Sequence, residues 1–373
     1  MPDTLSSPRP LRIDQVVPSF AGRDAIGVHV LHTRDALRDA GYASDIWAID
    51  TLPEMRAEAR SVDELSSAER PRSWWIYHHS IGTPAAEILA TRTEPLILDY
   101  HNITPAELVD RWAPWVRDEV ELGRKQLSSL AQRCFFALAD SSFNETELVE
   151  AGYSYTRVVP PLFDLASFEH SADRQVQAEL RARKAEGGSD WLFVGRVAPH
   201  KAQHELIKTL AVHRRLHDPH ARLHLVGTAM GKDYSRALER FAQRIGVGDA
   251  VNLTGMLSDE ALAAYYQAAD LFVCASEHEG FCVPVVEAMH LGVPVIAHAA
   301  AAVPETVDGA ALLLDDFSPL ATAVAANRVA NDRRLRELLV AAGRERARYF
   351  SIDKAKRRLV DAMDAALSSA VGH

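Results

Sequence analysis

The chain has 373 residues, of which 47% are apolar and 25% are charged, so it has the composition of a soluble globular protein long enough for two domains. Its formal net charge is −10, which argues against non-specific nucleic-acid binding and against an anionic membrane surface as a partner. Three cysteines without a CxxC pattern indicate free thiols in a reducing compartment. Met1 to Pro10 does not resemble a signal peptide, and no run of about 18 apolar residues occurs, so we expect a cytoplasmic protein with at most peripheral membrane contact.

The first half of the chain alternates short apolar strands with stretches of helical spacing. Strands are predicted at residues 11–17, 44–49, 74–77, 95–100 and 135–139. Helices are predicted at residues 28–40, 82–91, 105–132 and 144–150. The polar stretch 51–72 is predicted to be an exposed connection that contains a helix, and 168–189 is predicted to be a linker.

The same alternation restarts after the linker. Strands are predicted at residues 191–197, 223–226, 251–253, 271–275, 293–297 and 311–314. Helices are predicted at residues 201–216, 233–245, 259–268, 284–290, 319–329, 332–349 and 352–369. Short, continuously apolar strands that alternate with helices indicate parallel sheets covered on both faces.

We therefore predict an α/β protein with two Rossmann-like domains whose parallel sheets face a central cleft. The first domain is predicted to cover residues 1–165 and the second 166–350, with 351–373 forming a helix that packs back on the first. In such sheets ligands bind beyond the carboxyl ends of the strands. The residues directly after the predicted strands are therefore the candidate site residues.

The most informative stretch is SEHEGFCVPVVEAM at residues 276–289, between two apolar runs. It is predicted to be a loop followed by a short helix, because Pro284 suits a first helical turn and Gly280 lets a backbone approach a ligand. The unpaired amides of that turn favour an anion, and Glu279 and Glu287 place a carboxylate on each side. This combination suits a ligand that carries both phosphates and sugar hydroxyls.

Two cations follow the first strand of the second half, in the sequence VGRVAPHK. Arg196 leaves the predicted strand and Lys201 begins the next helix, so together they can hold a diphosphate and stabilise it as it leaves. Alone, the same pair would be interpreted as two surface charges on a solvated loop. Gly227 and Met256 lie in turns after later strands and are either contacts to a nucleobase edge or ordinary turn residues.

The first half offers fewer candidates. His101 directly follows a predicted strand and either contacts a sugar near the reacting centre or is satisfied within the structure. His79, after the neighbouring strand, is favoured as an acceptor contact. Gly27 precedes the first helix and is a candidate contact to a donor phosphate or an acceptor. Trp112 and Trp115 either stack on a sugar or anchor a helix, and the second interpretation is favoured.

No metal site is predicted. His200 and His204 have a suitable i, i+4 spacing but no evident third ligand. The chain also contains no Asp-x-Asp triplet that would hold a divalent ion on a diphosphate. Arg196 and Lys201 are therefore expected to replace such an ion in a metal-independent site.

The spacing of Glu279 and Glu287, with Gly280-Phe281 after the first glutamate, resembles the Glu-x7-Glu signature of the retaining glycosyltransferase family 4. Residues 194–201 resemble the phosphate-binding segment of the same family, and 291–297 its following strand. The resemblance implies the GT-B architecture and transfer of a sugar, with retained configuration, to a sugar or another hydroxyl-bearing acceptor. It implies a nucleotide-diphosphate sugar as donor, with a UDP-sugar slightly favoured over a GDP-sugar, and no other cofactor.

Carried over to this chain, the resemblance implies that Arg196 and Lys201 bind the diphosphate. Glu287 would accept hydrogen bonds from the ribose, Glu279 would contact the donor sugar, and His101 would lie near the transferred sugar. The predicted catalytic residues are His101, Arg196, Lys201 and Glu279. The predicted donor-binding residues are Gly27, Gly195, Arg196, Lys201, Gly227, Met256, Glu279, Gly280, Phe281, Cys282, Val283 and Glu287.

One departure concerns the loop before the first helix, where the family usually has paired glycines. Here the loop reads Asp24-Ala25-Ile26-Gly27, so two side chains narrow it. No residue is identified as the nucleophile of a double displacement, and Glu279 is assigned to binding. We therefore predict a front-face substitution in which the leaving diphosphate accepts the proton of the acceptor.

Other function classes stay open. A sugar-nucleotide epimerase or a phosphorylase would share the fold, and a non-catalytic protein would bind the nucleotide sugar without turnover. A dehydrogenase is disfavoured because no G-x-G-x-x-G follows the first strand. The choice between His101 and His79 as the key first-domain histidine also stays open, as do the sugar, the acceptor and the oligomeric state.

Overall fold

The structure is a computed structural model that describes residues 11–22, 24–65, 72–169 and 172–371. The chain divides into two compact units. Of the described residues, the first unit combines those up to Ile103 with Glu121–Phe163 and those from Ile352 onward. The second combines Thr104–Val120 with the described residues between Asp164 and Ser351. The segment 104–120, which the sequence-based division places in the first domain, thus belongs to the second unit. The N-terminal residues that were predicted not to form a signal peptide lie outside the described part.

Within the described residues, the first unit contains a seven-stranded parallel sheet in the order β3-β2-β1-β4-β5-β6-β7. Its strands are β1 (Arg12–Phe20), β2 (Ile46–Thr51), β3 (Ala59–Ser61), β4 (Ser73–His79), β5 (Leu96–Tyr100), β6 (Cys134–Ala139) and β7 (Thr156–Val158). The central strands are buried along their whole length, as in β4 and β5, which is why they appear as continuous apolar runs.

The second unit contains, among the described residues, a six-stranded parallel sheet in the order β10-β9-β8-β11-β12-β13. Its strands are β8 (Asp190–Val194), β9 (Arg222–Val226), β10 (Val251–Gly255), β11 (Leu271–Cys274), β12 (Val295–His298) and β13 (Leu312–Leu314). The strand order reverses between β8 and β11. Open α/β sheets bind ligands at such a reversal, beyond the carboxyl ends of the two strands.

The helices cover both faces of the sheets. They are α1 (Ala25–Asp39), α2 (Pro84–Ala90), α3 (Pro114–Leu130), α4 (Ser142–Glu150), α5 (Arg174–Ala185), α6 (Gln203–Leu216), α7 (Lys232–Arg244), α8 (Asp259–Ala268), α9 (Val283–His290), α10 (Val303–Val307), α11 (Pro319–Asn331), α12 (Arg333–Tyr349) and α13 (Ile352–Val371). The apolar side of α13 lies in the core of the first unit, where Leu359 and Met363 are fully buried with Ile13 and Leu37.

Several local predictions were wrong. The described part of 51–72 contains short 3-10 turns and strand β3 rather than an α-helix. The region 105–132 is not one helix, because a 3-10 turn at Ala106–Leu108 precedes α3. The predicted linker contains α5, which the sequence hides because Leu180 is its only buried residue in the described part. Asp173 caps this helix by accepting hydrogen bonds from the Gln175 and Val176 amides.

The burial of α13 generates a prediction about stability. Replacing Leu359, which is 0% exposed, by alanine should lower the free energy of unfolding of the first unit by about 2–5 kcal/mol, because the cavity cannot fully collapse. Leu338→Ala on α12, where the side chain is 61% exposed, is the matched control and should change it by less than about 0.5 kcal/mol. Urea unfolding followed by circular dichroism measures both. Equal midpoints for the two variants would contradict the packing of α13 into the core.

Candidate functional site

An ion pair joins the two loops that leave the sheet of the second unit at the point where the strand order reverses. Lys201, at the end of the loop after β8, places its Nζ 2.6 Å from the Glu279 Oε2 in the loop after β11. The same loops are joined along the backbone, since the Glu277 amide donates to the His200 carbonyl at 2.8 Å. The structure thus brings together residues that are far apart in the sequence and that were predicted to share a ligand.

The charge state of this pair follows from its surroundings. Burial disfavours a charged ammonium, but the charge and hydrogen bond of Glu279, together with the nearby Cys282 and Cys274, outweigh burial and raise the pKa of Lys201 above its usual value. Both side chains stay accessible, at 17% for Lys201 and 10% for Glu279. An ammonium has three N–H donors, so Lys201 can hold Glu279 and still donate to an anion.

Arg196 is the second cation at this edge. Its side chain is exposed and makes no ion pair with any residue that the structure describes. The loop that carries it is held in place because the Gln203 side chain donates to the Arg196 carbonyl at 3.0 Å. Ala202, between the loop and α6, takes a left-handed conformation with φ of 49°. The guanidinium is therefore a free cation on a fixed loop.

The loop after β11 runs directly into α9. Cys282 takes a left-handed conformation with φ of 75° at the N-cap, and Pro284 occupies the first turn, as predicted. The loop is anchored from behind because the Thr306 hydroxyl donates to the Phe281 carbonyl at 2.6 Å. The Phe281 ring also packs edge-on against Phe350. These contacts fix the positive end of the helix dipole beside Lys201 and Glu279.

Glu287 lies one turn from the end of α9 and is only partly buried. The fully buried Tyr266 donates its hydroxyl to the Glu287 Oε2 at 2.6 Å. Burial raises the pKa of Glu287 to about 7, against the opposing effect of the Tyr266 hydrogen bond. Its protonation state therefore changes near neutral pH. Tyr266 orients one carboxylate oxygen, and no sequence pattern indicates this partner.

Two of the predicted glycines have a structural reason. Gly195 and Gly227 follow β8 and β9 with φ of 147° and 143°. A Cβ on Gly227 would lie 2.0 Å from the Gly195 carbonyl oxygen. The Gly227 amide donates to the Gly255 carbonyl and thereby joins the ends of β9 and β10, and a contact of Gly227 to a nucleobase edge stays a prediction. Met256, the next residue, has a side chain 60% exposed at this edge.

The cysteines of the second unit are free, as is Cys134 in the first. The Cys274 and Cys282 sulfur atoms lie 4.0 Å apart under the loop after β11. Both are buried, and Cys274 also donates to the Ser276 hydroxyl. Val283 follows Cys282 as the first residue of α9. This part of the predicted donor site is therefore packed from below by two thiols.

In the first unit, the two candidate histidines, His101 and His79, have different electrostatic surroundings. His101 donates from Nδ1 to Asp140 at 3.1 Å, and Asp99 lies on its other side. Burial opposes a charge on His101, but the carboxylates of Asp140 and Asp99 raise its pKa to about 9. Burial instead lowers the pKa of His79 to about 4, and its Nε2 donates to the Gly123 carbonyl. His79 is thus a neutral core residue, and His101 belongs to a charged cluster.

The other first-half candidates have packing roles. The Gly27 amide already donates to the Asp24 carboxylate at 2.5 Å, and a Cβ on Gly27 would lie 1.7 Å from the Ala21 carbonyl oxygen. Trp112 packs edge-on against Tyr234 in the second unit, as the helix-anchor interpretation predicts. Trp115 is 56% exposed. A contact of Gly27 to a donor phosphate stays a prediction, and the geometry explains the glycine without it.

Comparison with known proteins places these features in context. Residues 177–346, just under half of the chain, match the sequence model of the family described as "Glycosyl transferases group 1". A D-inositol 3-phosphate glycosyltransferase of Geodermatophilus obscurus is 34% identical over 73% of this chain and 61% of its own length. A relative with the same name from Streptomyces avermitilis is 28% identical over 92% of this chain and 75% of its own length. The chain spans less than two thirds of the first of these relatives.

Solved structures confirm the predicted fold class. HepE from Anabaena, solved with UDP and glucose, superposes with a TM-score of 0.76 at 18% identity over 95% of this chain and 100% of its own. Sucrose-phosphate synthase from Thermosynechococcus elongatus gives a TM-score of 0.74 at 20% identity, over 96% of this chain and 100% of its own. At this identity the likeness establishes the fold: two Rossmann-like units with parallel sheets, as in GT-B proteins. Among the described residues, every helix is too short or too polar to cross a membrane.

The close approach of the strand ends generates a prediction. Gly227→Ala should lower the free energy of unfolding by at least about 2 kcal/mol, because the new Cβ would force the β8 and β9 ends apart. Gly246→Ala is the control, since Gly246 also has a positive φ of 77° but nothing lies within 4 Å of a new Cβ. Thermal unfolding of both variants measures the difference. A Gly227→Ala variant as stable as Gly246→Ala would contradict the steric explanation.

Proposed function

We propose that this chain is a glycosyltransferase that moves a sugar from a nucleotide-diphosphate sugar to a hydroxyl-bearing acceptor with retained configuration. The observation that carries the proposal is the grouping of Arg196, Lys201, Glu279 and Glu287 at one edge of the second sheet, where the strand order reverses. The match to the group 1 glycosyltransferases and the names of the relatives support the same reaction class. The UDP in the HepE structure favours a UDP-sugar as donor.

In this proposal each end of the donor has its own carboxylate. Arg196 and Lys201 bind the diphosphate beside the N-terminus of α9, which supplies further positive potential. Glu287 accepts hydrogen bonds from the ribose hydroxyls, with one oxygen fixed by Tyr266. Glu279 accepts hydrogen bonds from the transferred sugar while its other contact is Lys201. Two cations replace a divalent ion at the diphosphate.

The proposed chemistry is a front-face substitution. The bond between the anomeric carbon and the diphosphate oxygen breaks, and the acceptor oxygen bonds to the same face of that carbon. The acceptor proton passes to the leaving diphosphate, so no protein nucleophile is needed. Arg196 and Lys201 stabilise the negative charge that develops on the leaving group. Glu279 is held by an ammonium at 2.6 Å, which suits a positioning role better than a nucleophilic one.

The reaction assay discriminates among the alternatives. The chain is incubated with UDP-glucose, alone and with D-inositol 3-phosphate or simple sugars as acceptors, and UDP release and products are followed by chromatography. A transferase releases UDP and forms a glycoside whose anomeric proton signal matches the donor configuration. Conversion of UDP-glucose to an epimeric sugar without an acceptor indicates an epimerase, and turnover that requires inorganic phosphate and forms a sugar phosphate indicates a phosphorylase. Donor binding without turnover with any acceptor would contradict the proposal.

Lys201 gives the sharpest mutational test. Lys201→Ala should lower kcat about 100- to 1,000-fold, because it removes a donor aimed at the charge that develops on the leaving diphosphate. Lys208→Ala is the control, since Lys208 pairs with Glu205 on the surface of α6 and with no other carboxylate in the described part of the chain. Its kcat should stay within about twofold of the unmodified chain. Equal kcat values for the two variants would remove Lys201 from the mechanism.

Glu287 generates a pH prediction. The Glu287 carboxylate accepts hydrogen bonds from the ribose hydroxyls more strongly when it is ionised, and burial raises its pKa to about 7, so UDP affinity should fall as the pH drops through that value. Isothermal titration calorimetry between about pH 6 and about pH 8 measures this dependence of UDP affinity on pH. Tyr266→Phe removes the hydrogen bond that lowers the pKa of Glu287, so the fall in UDP affinity should occur at higher pH. In Glu287→Gln the UDP affinity should no longer change with pH in this range. The same slope in Glu287→Gln as in the unmodified chain would assign the pH dependence to another group.

A further inference from the structure

We infer that the first unit binds a divalent transition-metal ion, zinc by preference, through His78, Asp99 and His101. Three atoms face one another: Nδ1 of His78 lies 3.0 Å from Nε2 of His101 and 3.4 Å from Oδ2 of Asp99. The third separation, between the His101 and Asp99 atoms, is 3.9 Å. In a tetrahedral zinc site with bonds of about 2.0–2.1 Å, ligand atoms lie about 3.3 Å apart. The observed separations lie on both sides of that value.

The sheet brings these ligands together. His78 on β4 pairs in register with Asp99 on β5, so the two side chains stand on the same face of neighbouring strands. His101 follows Asp99 by two residues and therefore returns to that face. The sequence spacing Asp-x-His is short, but the third ligand comes from another strand. A site built in this way has none of the usual metal-binding spacings along the sequence.

Neighbouring groups orient the two histidine rings as metal ligands require. His101 can donate its Nδ1 proton to the Asp140 carboxylate at 3.1 Å, which leaves its Nε2 lone pair directed at the centre. His78 donates its Nε2 proton to the Gln15 side-chain oxygen at 2.8 Å, which leaves its Nδ1 lone pair directed at the same point. A carboxylate or amide oxygen behind each ligating histidine is the usual outer shell of a protein zinc site.

His29 hydrogen-bonds to the ligand Asp99 and does not itself bind the metal. The Leu162 amide donates to the His29 Nδ1 at 2.9 Å, so the ring proton is on Nε2. That proton is donated to the Asp99 Oδ2 at 2.8 Å, where it orients the carboxylate. His29 would have to lose this proton to bind a metal. The protein therefore supplies three ligands, and a water molecule or another small oxygen ligand completes the tetrahedron.

The charge of the cluster also favours a divalent ion. The Asp99 and Asp140 side chains are only 2% and 7% exposed, and in the described part of the chain their ion-pair partners are all histidines. Two facing lone pairs and a carboxylate need a cation between them. With a proton on His101, the two carboxylates and the imidazolium together carry a net charge of −1. A divalent ion instead balances the charges of both carboxylates. Burying a net charge is costly, so the balanced state is favoured.

A second group of potential ligands occurs in the second unit, with Cys274, Cys282 and Glu279. There the Lys201 ammonium already lies 2.6 Å from the Glu279 carboxylate. A metal ion at that place would be repelled by the ammonium. A metal ion bound at the two thiols would differ in its absorption spectrum from one bound to nitrogen and oxygen, so the two groups of ligands can be told apart by spectroscopy.

The test measures metal content without any sugar donor, so its outcome is independent of the proposed transferase activity. The full chain is stripped with a chelator, incubated with Zn²⁺, dialysed and analysed by mass spectrometry for bound metal. We expect one ion per chain, and its loss in His78→Gln. His79→Gln is the matched control, because His79 is the next residue, equally buried, and bonded to the Gly123 carbonyl instead. It should keep the metal.

Two further measurements keep the inference testable if His78→Gln does not fold. Asp140→Asn removes no ligand and should weaken zinc affinity about 10- to 100-fold. With Co²⁺, the chain should show the d–d absorption of a tetrahedral nitrogen and oxygen site without a thiolate charge-transfer band, and Cys274→Ala should leave it unchanged. Absence of stoichiometric metal, or its loss in Cys274→Ala instead of in the histidine variant, would overturn the inference and leave a proton at the centre of the cluster.

Discussion

The parallel arrangement of the strands is the constraint on which the rest of this structure depends. In each described sheet all strands point the same way, so every loop that follows a strand emerges at the same edge. Residues far apart in the sequence thereby become neighbours. Lys201 meets Glu279 in the second unit, and His78 meets Asp99 and His101 in the first.

Each site is built by pairing charges that would be costly alone. The partly buried ammonium of Lys201 is stabilised by Glu279, and this pairing keeps the lysine charged and the carboxylate in place. Glu287 has no cationic partner among the described residues and is held by Tyr266, so its pKa is near neutrality. The two glutamates of one motif thus have different electrostatic surroundings. This difference supports their assignment to opposite ends of the proposed donor.

The backbone at these sites departs from ordinary conformations. Ala202, Cys282 and Asn102 have left-handed φ values although none is a glycine, and each follows a candidate site residue or segment. Such conformations cost of order 1–3 kcal/mol and persist only where surrounding contacts impose them. The Gln203 side chain on the Arg196 carbonyl and the Thr306 hydroxyl on the Phe281 carbonyl are two such contacts. Contacts within the protein therefore hold these loops in place without a contribution from a ligand.

The sequence by itself determined the fold class and the motif of the second unit. Strands buried on both faces appear as continuous apolar runs, which can be identified without knowing what packs against them. Pro284 and Gly280 mark the start of α9 in the local sequence. It missed α5, whose burial rests on one leucine, and it did not indicate that 104–120 groups with the second unit, because unit membership depends on long-range packing.

Only the tertiary structure decided which side chains meet. The Tyr266 partner of Glu287, the difference between His101 and His79, and the cluster around Asp99 all depend on contacts between separate elements. A pKa or a ligand set is a property of such a neighbourhood. Spacing along one chain segment cannot specify it.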